Sequence, residues 1–144
     1  MPPEEELASP SQKLIMVVDD DDSVRELLEF LMKREGFRVE TATDGEEGIE
    51  KIQRLLPDLI LLDLMLPKYG GFEILRQLQA GPAAATPIII ITGRYTDRST
   101  SEMIRQESNV VDFLEKPVKS ALLTVNVHKL LKTRPSATGM ASGS

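Results

Sequence analysis

The amino-acid sequence predicts an α/β fold, a parallel five-stranded sheet with helices wound on both faces. Three observations predict it. Short apolar runs alternate with stretches whose apolar residues recur at helical spacing. Four of the runs end in polar residues: Leu14–Val18 into Asp19 and Asp20, Leu59–Leu62 into Asp63, Ile88–Ile91 into Thr92, and Val110–Leu114 through Glu115 into Lys116. Cap and turn residues punctuate the alternation, as expected of βαβ units with right-handed crossovers.

Residues 1–12 are rich in Pro, Glu and Ser and predict a disordered acidic tail. The first strand follows over 14–18. Ser23-Val-Arg-Glu26 reads as a capping box, with Asp22 as the alternative cap. Val24, Leu27, Leu28 and Leu31 then form a helical face, and Gly36 is placed to end that helix in a left-handed conformation. Phe37, Val39 and Thr41 alternate with polar residues as in a strand. Gly48, Ile49, Ile52 and Leu56 predict a second helix, closed by Pro57. The unbroken apolar run 59–62 suits a strand covered on both faces.

Gly70-Gly71 opens a third helix carrying Phe72, Leu75 and Leu78. After the run 88–91, a polar stretch over 97–107 takes the fourth helix, with Met103 and Ile104 its large apolar residues. The strand 110–114 comes next, and Leu123, Val127, Leu130 and Leu131 stripe the last helix. Residues 133–144 read as a C-terminal tail, a linker or an expression scar. The folded domain is thus expected over 13–132.

With 144 residues, 41% hydrophobic and 28% charged, the chain has the composition of one soluble globular domain. The formal charge of −6 gives no help to phosphate-backbone binding, so direct nucleic-acid contact is not expected. There is no cysteine, hence no disulfide framework and no thiolate site. The acidic N-terminus lacks the basic and apolar regions of a signal peptide. No apolar run approaches the roughly 18 residues that span a bilayer. These features predict a cytoplasmic protein without a membrane partner.

In parallel α/β sheets, ligands bind outside the carboxyl ends of the strands. The acids, hydroxyl and ammonium at the run ends are therefore expected to converge. Carboxylates about 4 Å apart repel by about 4 kcal/mol at an effective dielectric of 20, which a hard divalent cation relieves. The set suits a metal ion and a phosphoryl group.

Over residues 13–132 the chain resembles the receiver domain of two-component response regulators. The resemblance rests on Val-Val-Asp-Asp (17–20), Asp-x-x-x-Pro-x-x-x-Gly (63–71), Ile-Thr-Gly (91–93) and Asp-Phe-Leu-x-Lys-Pro (112–117), in this order on alternating strands. It implies a flavodoxin-like fold with strand order 2-1-3-4-5. It also implies that Asp63 is the phosphoacceptor. Asp19 and Asp20, with Asp63 and the backbone carbonyl of Met65, would hold Mg²⁺ or Mn²⁺. Thr92 matches the switch hydroxyl, Lys116 the lysine that pairs with the phosphoryl group, and Phe113 an aromatic switch. Lys116-Pro117 falls where the family has a cis peptide. Met65 and Arg94 stand at positions that tune dephosphorylation.

The implied partners are a histidine kinase or histidine phosphotransfer protein as donor. A downstream protein or effector domain would read helix 97–107, strand 110–114 and the last helix, and a phosphorylation-dependent homodimer fits the same surface. The implied role is signalling rather than turnover of a substrate. The one histidine, His128, reads as a solvated helix residue and not as a phosphodonor. A second reading is a pseudo-receiver, a non-phosphorylated interaction module. A third, a Mg²⁺-dependent aspartyl phosphatase, is disfavoured because Met65 stands where haloacid-dehalogenase-like enzymes carry a second aspartate.

Overall fold

The computed structural model describes residues 7–64, 71–93, 102, 106 and 109–135. Its strands are β1 (Leu14–Val18), β2 (Arg38–Ala42), β3 (Leu59–Leu62), β4 (Ile88–Thr92) and β5 (Val110–Glu115). Its helices are α1 (Asp22–Arg34), α2 (Gly45–Leu55), α3 (Gly71–Gln79) and α4 (Ser120–Leu131). All strands are parallel, in the order β2-β1-β3-β4-β5. This is the flavodoxin-like order expected from the sequence. The helix expected over 97–107 falls outside the described residues except at Glu102 and Gln106. Gln106 N donates to Glu102 O at 3.2 Å, the spacing of an α-helix.

The unbroken apolar runs are explained by two cores, one on each face of the sheet. Alternate residues point to opposite faces of a strand. Met16, Val18, Ile60, Leu62, Ile88 and Ile90 accordingly pack with Ile49 and Ile52 of α2 and with Ile74, Leu75 and Leu78 of α3. Ile15, Val17, Leu59, Leu61, Ile89 and Ile91 pack with Leu28, Leu31 and Met32 of α1 and with Leu123 and Val127 of α4. These cores cover both faces of every central strand, so its polar end residues have only one direction left, out of the carboxyl edge.

Local signals mostly act where the sequence put them, with instructive shifts. Gly36 ends α1 at φ 97°, as expected. The α1 cap is neither Ser23 nor Asp22 but Asp21, whose carboxylate accepts from the N–H groups of Ser23 and Val24. Three adjacent acids and a serine can all cap, and the register of the β1–α1 turn selects among them. Leu27 is exposed and Met32 takes its place in the core. Leu56 is also exposed, at φ 49°, because α2 stops one residue earlier and its cap turns outward. Phe72 lies where the side chains are not described.

The terminal segments depart most from expectation. Residues 7–12, read from sequence as part of a disordered tail, include a 3₁₀ turn at Pro10–Gln12. Ala8 forms a parallel bridge with Thr133, through Ala8 N to Lys132 O at 2.9 Å and Arg134 N to Ala8 O at 3.0 Å. His128 is buried rather than solvated. Its Nε2 lies 2.8 Å from Glu35 Oε1 and its Nδ1 2.7 Å from Thr133 Oγ1, with the Phe37 ring 5.1 Å away. A neutral imidazole satisfies both contacts when Nε2 carries the proton. The partner carboxylate is remote in sequence, so helical periodicity alone could not reveal it.

Candidate functional site

The site is assembled by ladder bonds that continue one step past the strands. Asp19 N donates to Ala42 O at 3.2 Å and Asp63 N to Val18 O at 3.0 Å, which sets the two acids side by side. Across the sheet, Lys116 N donates to Thr92 O at 2.7 Å, joining the fourth and fifth strand ends. The Lys116-Pro117 peptide is cis. Asp19, Asp63 and Thr92 are buried, at 1%, 4% and 2% exposure.

One oxygen from each of Asp19, Asp20 and Asp63 lies within 4.8 Å of the others. Lys116 Nζ is 2.9 Å from Asp19 Oδ2 and 3.5 Å from Asp63 Oδ2, bridging two of the three carboxylates. Burial opposes the charge on Lys116, but the Asp19 and Asp63 carboxylates outweigh it and raise its pKa above the ordinary lysine value. Gly93 lies against the Lys116 stem: a Cβ there would come within 3.0 Å of Lys116 Cδ. The Thr92 hydroxyl is buried without a hydrogen-bond partner among the described residues. A buried hydroxyl normally finds one.

The turn that carries Asp19 and Asp20 is braced from within. Asp21 N donates to Asp19 Oδ1 at 2.9 Å, while the Asp21 carboxylate caps α1. The Ser23 hydroxyl, then the Val24 N–H, hold the Asp21 pKa below the usual carboxylate value. Arg25 Nη1 donates to the backbone carbonyl of Asp19 at 2.9 Å. Sequence reasoning did not single out Arg25, because nothing in helical spacing says that an arginine on the first turn folds back toward the strand.

Of the residues singled out in the sequence, Asp19, Asp20, Asp63, Thr92 and Lys116 come together. Phe113 is half-buried on β5 and packs against the core that holds α2 and α3. Met65 and Arg94 lie outside the described residues. The three carboxylates fit a hard divalent cation: all are oxygen donors, two are buried, and Asp20 faces solvent where bound waters would stand. Among the described residues, no helix is long and apolar enough to cross a membrane.

Comparison with known proteins agrees with this geometry. The family model "Response regulator receiver domain" matches residues 15–128. The transcriptional regulatory protein AfsQ1 of Streptomyces coelicolor is 36% identical over 118 residues, covering 82% of this chain and 51% of that protein. The chain thus spans about half the length of the curated relatives it matches. A response regulator receiver protein from Pseudomonas putida superposes with a TM-score of 0.76 at 32% identity, over 85% of this chain and 98% of that one. The receiver domain of a sensor histidine kinase from Pseudomonas aeruginosa, solved with a magnesium ion coordinated in its active site cleft, gives a TM-score of 0.73 at 25% identity, over 86% and 98%. The chain belongs to the response regulator receiver domain family of two-component signalling.

Proposed function

We propose that Asp63 accepts a phosphoryl group from a phosphohistidine on a partner kinase or phosphotransfer protein. The observation that carries this reading is the setting of Asp63: buried at a strand end, 3.5 Å from an ammonium, and within 4.8 Å of two further carboxylates. An oxygen of Asp63 bonds to phosphorus as the donor's P–N bond breaks, and the electron pair leaves on the imidazole, which takes up a proton. Asp19, Asp20 and Asp63, with the Met65 carbonyl, would hold Mg²⁺ or Mn²⁺. The cation supplies charge neutralisation at the transferring group. Lys116 can turn from the carboxylates to the phosphoryl oxygens, and the Thr92 hydroxyl can donate to one of them.

Those two movements would favour a second conformation, with Phe113 turning into the space that Thr92 vacates. The surface of segment 97–107, β5 and α4 would carry the change to a downstream protein, an effector domain or a second copy of the chain. A transcriptional output like that named for AfsQ1 would reside in a part beyond the residues matched here. Met65 and Arg94 would set the phosphoryl lifetime, Met65 lengthening it because a thioether cannot orient an attacking water. No observation favours the non-phosphorylated module. Incubation with acetyl phosphate and Mg²⁺, followed by a phosphate-affinity gel, tests the reading. A retarded band is expected for the wild-type chain and none for Asp63→Asn; equal retardation of both, or of neither, would overturn it.

A further inference from the structure

We infer that Arg25 is a positioning residue of the metal site, holding the β1–α1 turn so that the Asp19 and Asp20 carboxylates face Asp63. This rests on the reading of that site given above. Asp19 continues the β1 ladder through its N–H, but the chain then leaves the sheet toward α1. Arg25 Nη1 donates to the Asp19 carbonyl at 2.9 Å, while Nη2 pairs with the Asp22 carboxylate. One planar guanidinium thus ties the strand end to the first helical turn. The Arg25 side chain is 14% exposed and that of Asp22 80%. The carbonyl bond is therefore the shielded arm of the clip, and the Asp22 bond the solvated one, worth little by itself. Lysine cannot reproduce the arrangement, because a single ammonium lacks the fork.

The geometry separates positioning from charge. Arg25 is a cation beside an acidic cluster, so charge alone says that removing it should tighten metal binding. Loss of positioning says the opposite. Residues that orient metal ligands typically contribute about 10- to 100-fold in affinity.

The test is titration of Mn²⁺ into the full chain, followed by electron paramagnetic resonance of the free ion. The variants are Arg25→Gln, Arg25→Lys and Asp22→Asn, with circular dichroism to establish the folded fraction of each. Arg25→Gln is expected to weaken Mn²⁺ binding by about 10-fold or more. Arg25→Lys should recover only part of that loss, and Asp22→Asn should stay within about two-fold of wild type. Unchanged or tighter binding by the folded Arg25→Gln chain would overturn the inference. So would full recovery with Arg25→Lys, since a single ammonium would then do what the inference assigns to the guanidinium fork. Should Arg25→Gln not fold, the Arg25→Lys result decides alone: wild-type affinity overturns the inference, weakened affinity supports it. A wild-type chain that binds no Mn²⁺ would overturn the metal-site reading itself, and is told apart from failure of the Arg25 role by that first titration.

Discussion

Lys116 Nζ sits 2.9 Å from Asp19 Oδ2, closer than its 3.5 Å approach to Asp63. Without a cation, the lysine therefore does part of the metal's work. It is an ion pair rather than a well-directed hydrogen bond, since Asp19 Oδ2 has no hydrogen-bond partner with good angles. A cation held by these carboxylates would compete with Lys116 for their negative charge. Lys116→Met is expected to bind Mg²⁺ about 3- to 10-fold more tightly than wild type, the equivalent of about 1 kcal/mol, measured by calorimetry. Weaker binding would mean that the lysine supports the cation instead of opposing it.

The raised pKa of Lys116 also predicts an alkaline pH dependence of stability. Folding favours the protonated amine, so its contribution is complete below the ordinary lysine pKa of about 10.4 and is lost as pH rises through the higher folded value. Urea unfolding followed from pH 9 to 12 should show wild type losing stability over that window and Lys116→Met losing less. Parallel curves would contradict the assignment.

The Thr92 hydroxyl, buried without a partner among the described residues, is a cost to the resting domain. Thr92→Val keeps the shape and removes the orphaned polar atom. It is expected to raise unfolding stability by about 1 kcal/mol without blocking phosphorylation, while weakening the conformational response. Amide chemical shifts of β5 and α4, compared before and after phosphorylation, measure that response. A destabilised Thr92→Val chain would mean that the hydroxyl is already engaged.

His128 and Glu35 predict a stability effect uncoupled from the site. They join α1 to α4 where the strands begin, at the opposite end of the sheet from Asp63. His128→Leu takes the imidazole from a buried carboxylate and from Thr133, and is expected to cost about 3 kcal/mol in chemical denaturation. The rate of phosphorylation by acetyl phosphate should be unchanged. A comparable fall in that rate would show that the two ends of the sheet communicate.

What could be read from the sequence divides along a physical line. The central strands are legible because burial on both faces demands unbroken apolar runs, and the site is legible because those runs stop at Asp19, Asp63 and Thr92. Lys116 was legible through its place after β5 and the family resemblance. Contacts between side chains remote in sequence leave no local periodicity. The Glu35–His128 pair and the Ala8–Thr133 bridge were invisible for that reason, and the Arg25 clip because helical spacing does not show a side chain folding back onto a strand-end carbonyl. The choice of Asp21 over Ser23 or Asp22 as cap, and the outward turn of Leu56, depended on turn register, which propensities do not resolve.

Borohydride reduces an aspartyl phosphate to homoserine and leaves a free aspartate untouched, so it marks the acceptor directly. The chain would be treated with acetyl phosphate and Mg²⁺, reduced, digested and sequenced by mass spectrometry. Homoserine is expected at position 63 and nowhere else. An unmodified Asp63, or homoserine confined to position 19 or 20, would contradict the assignment of Asp63 as the phosphoacceptor.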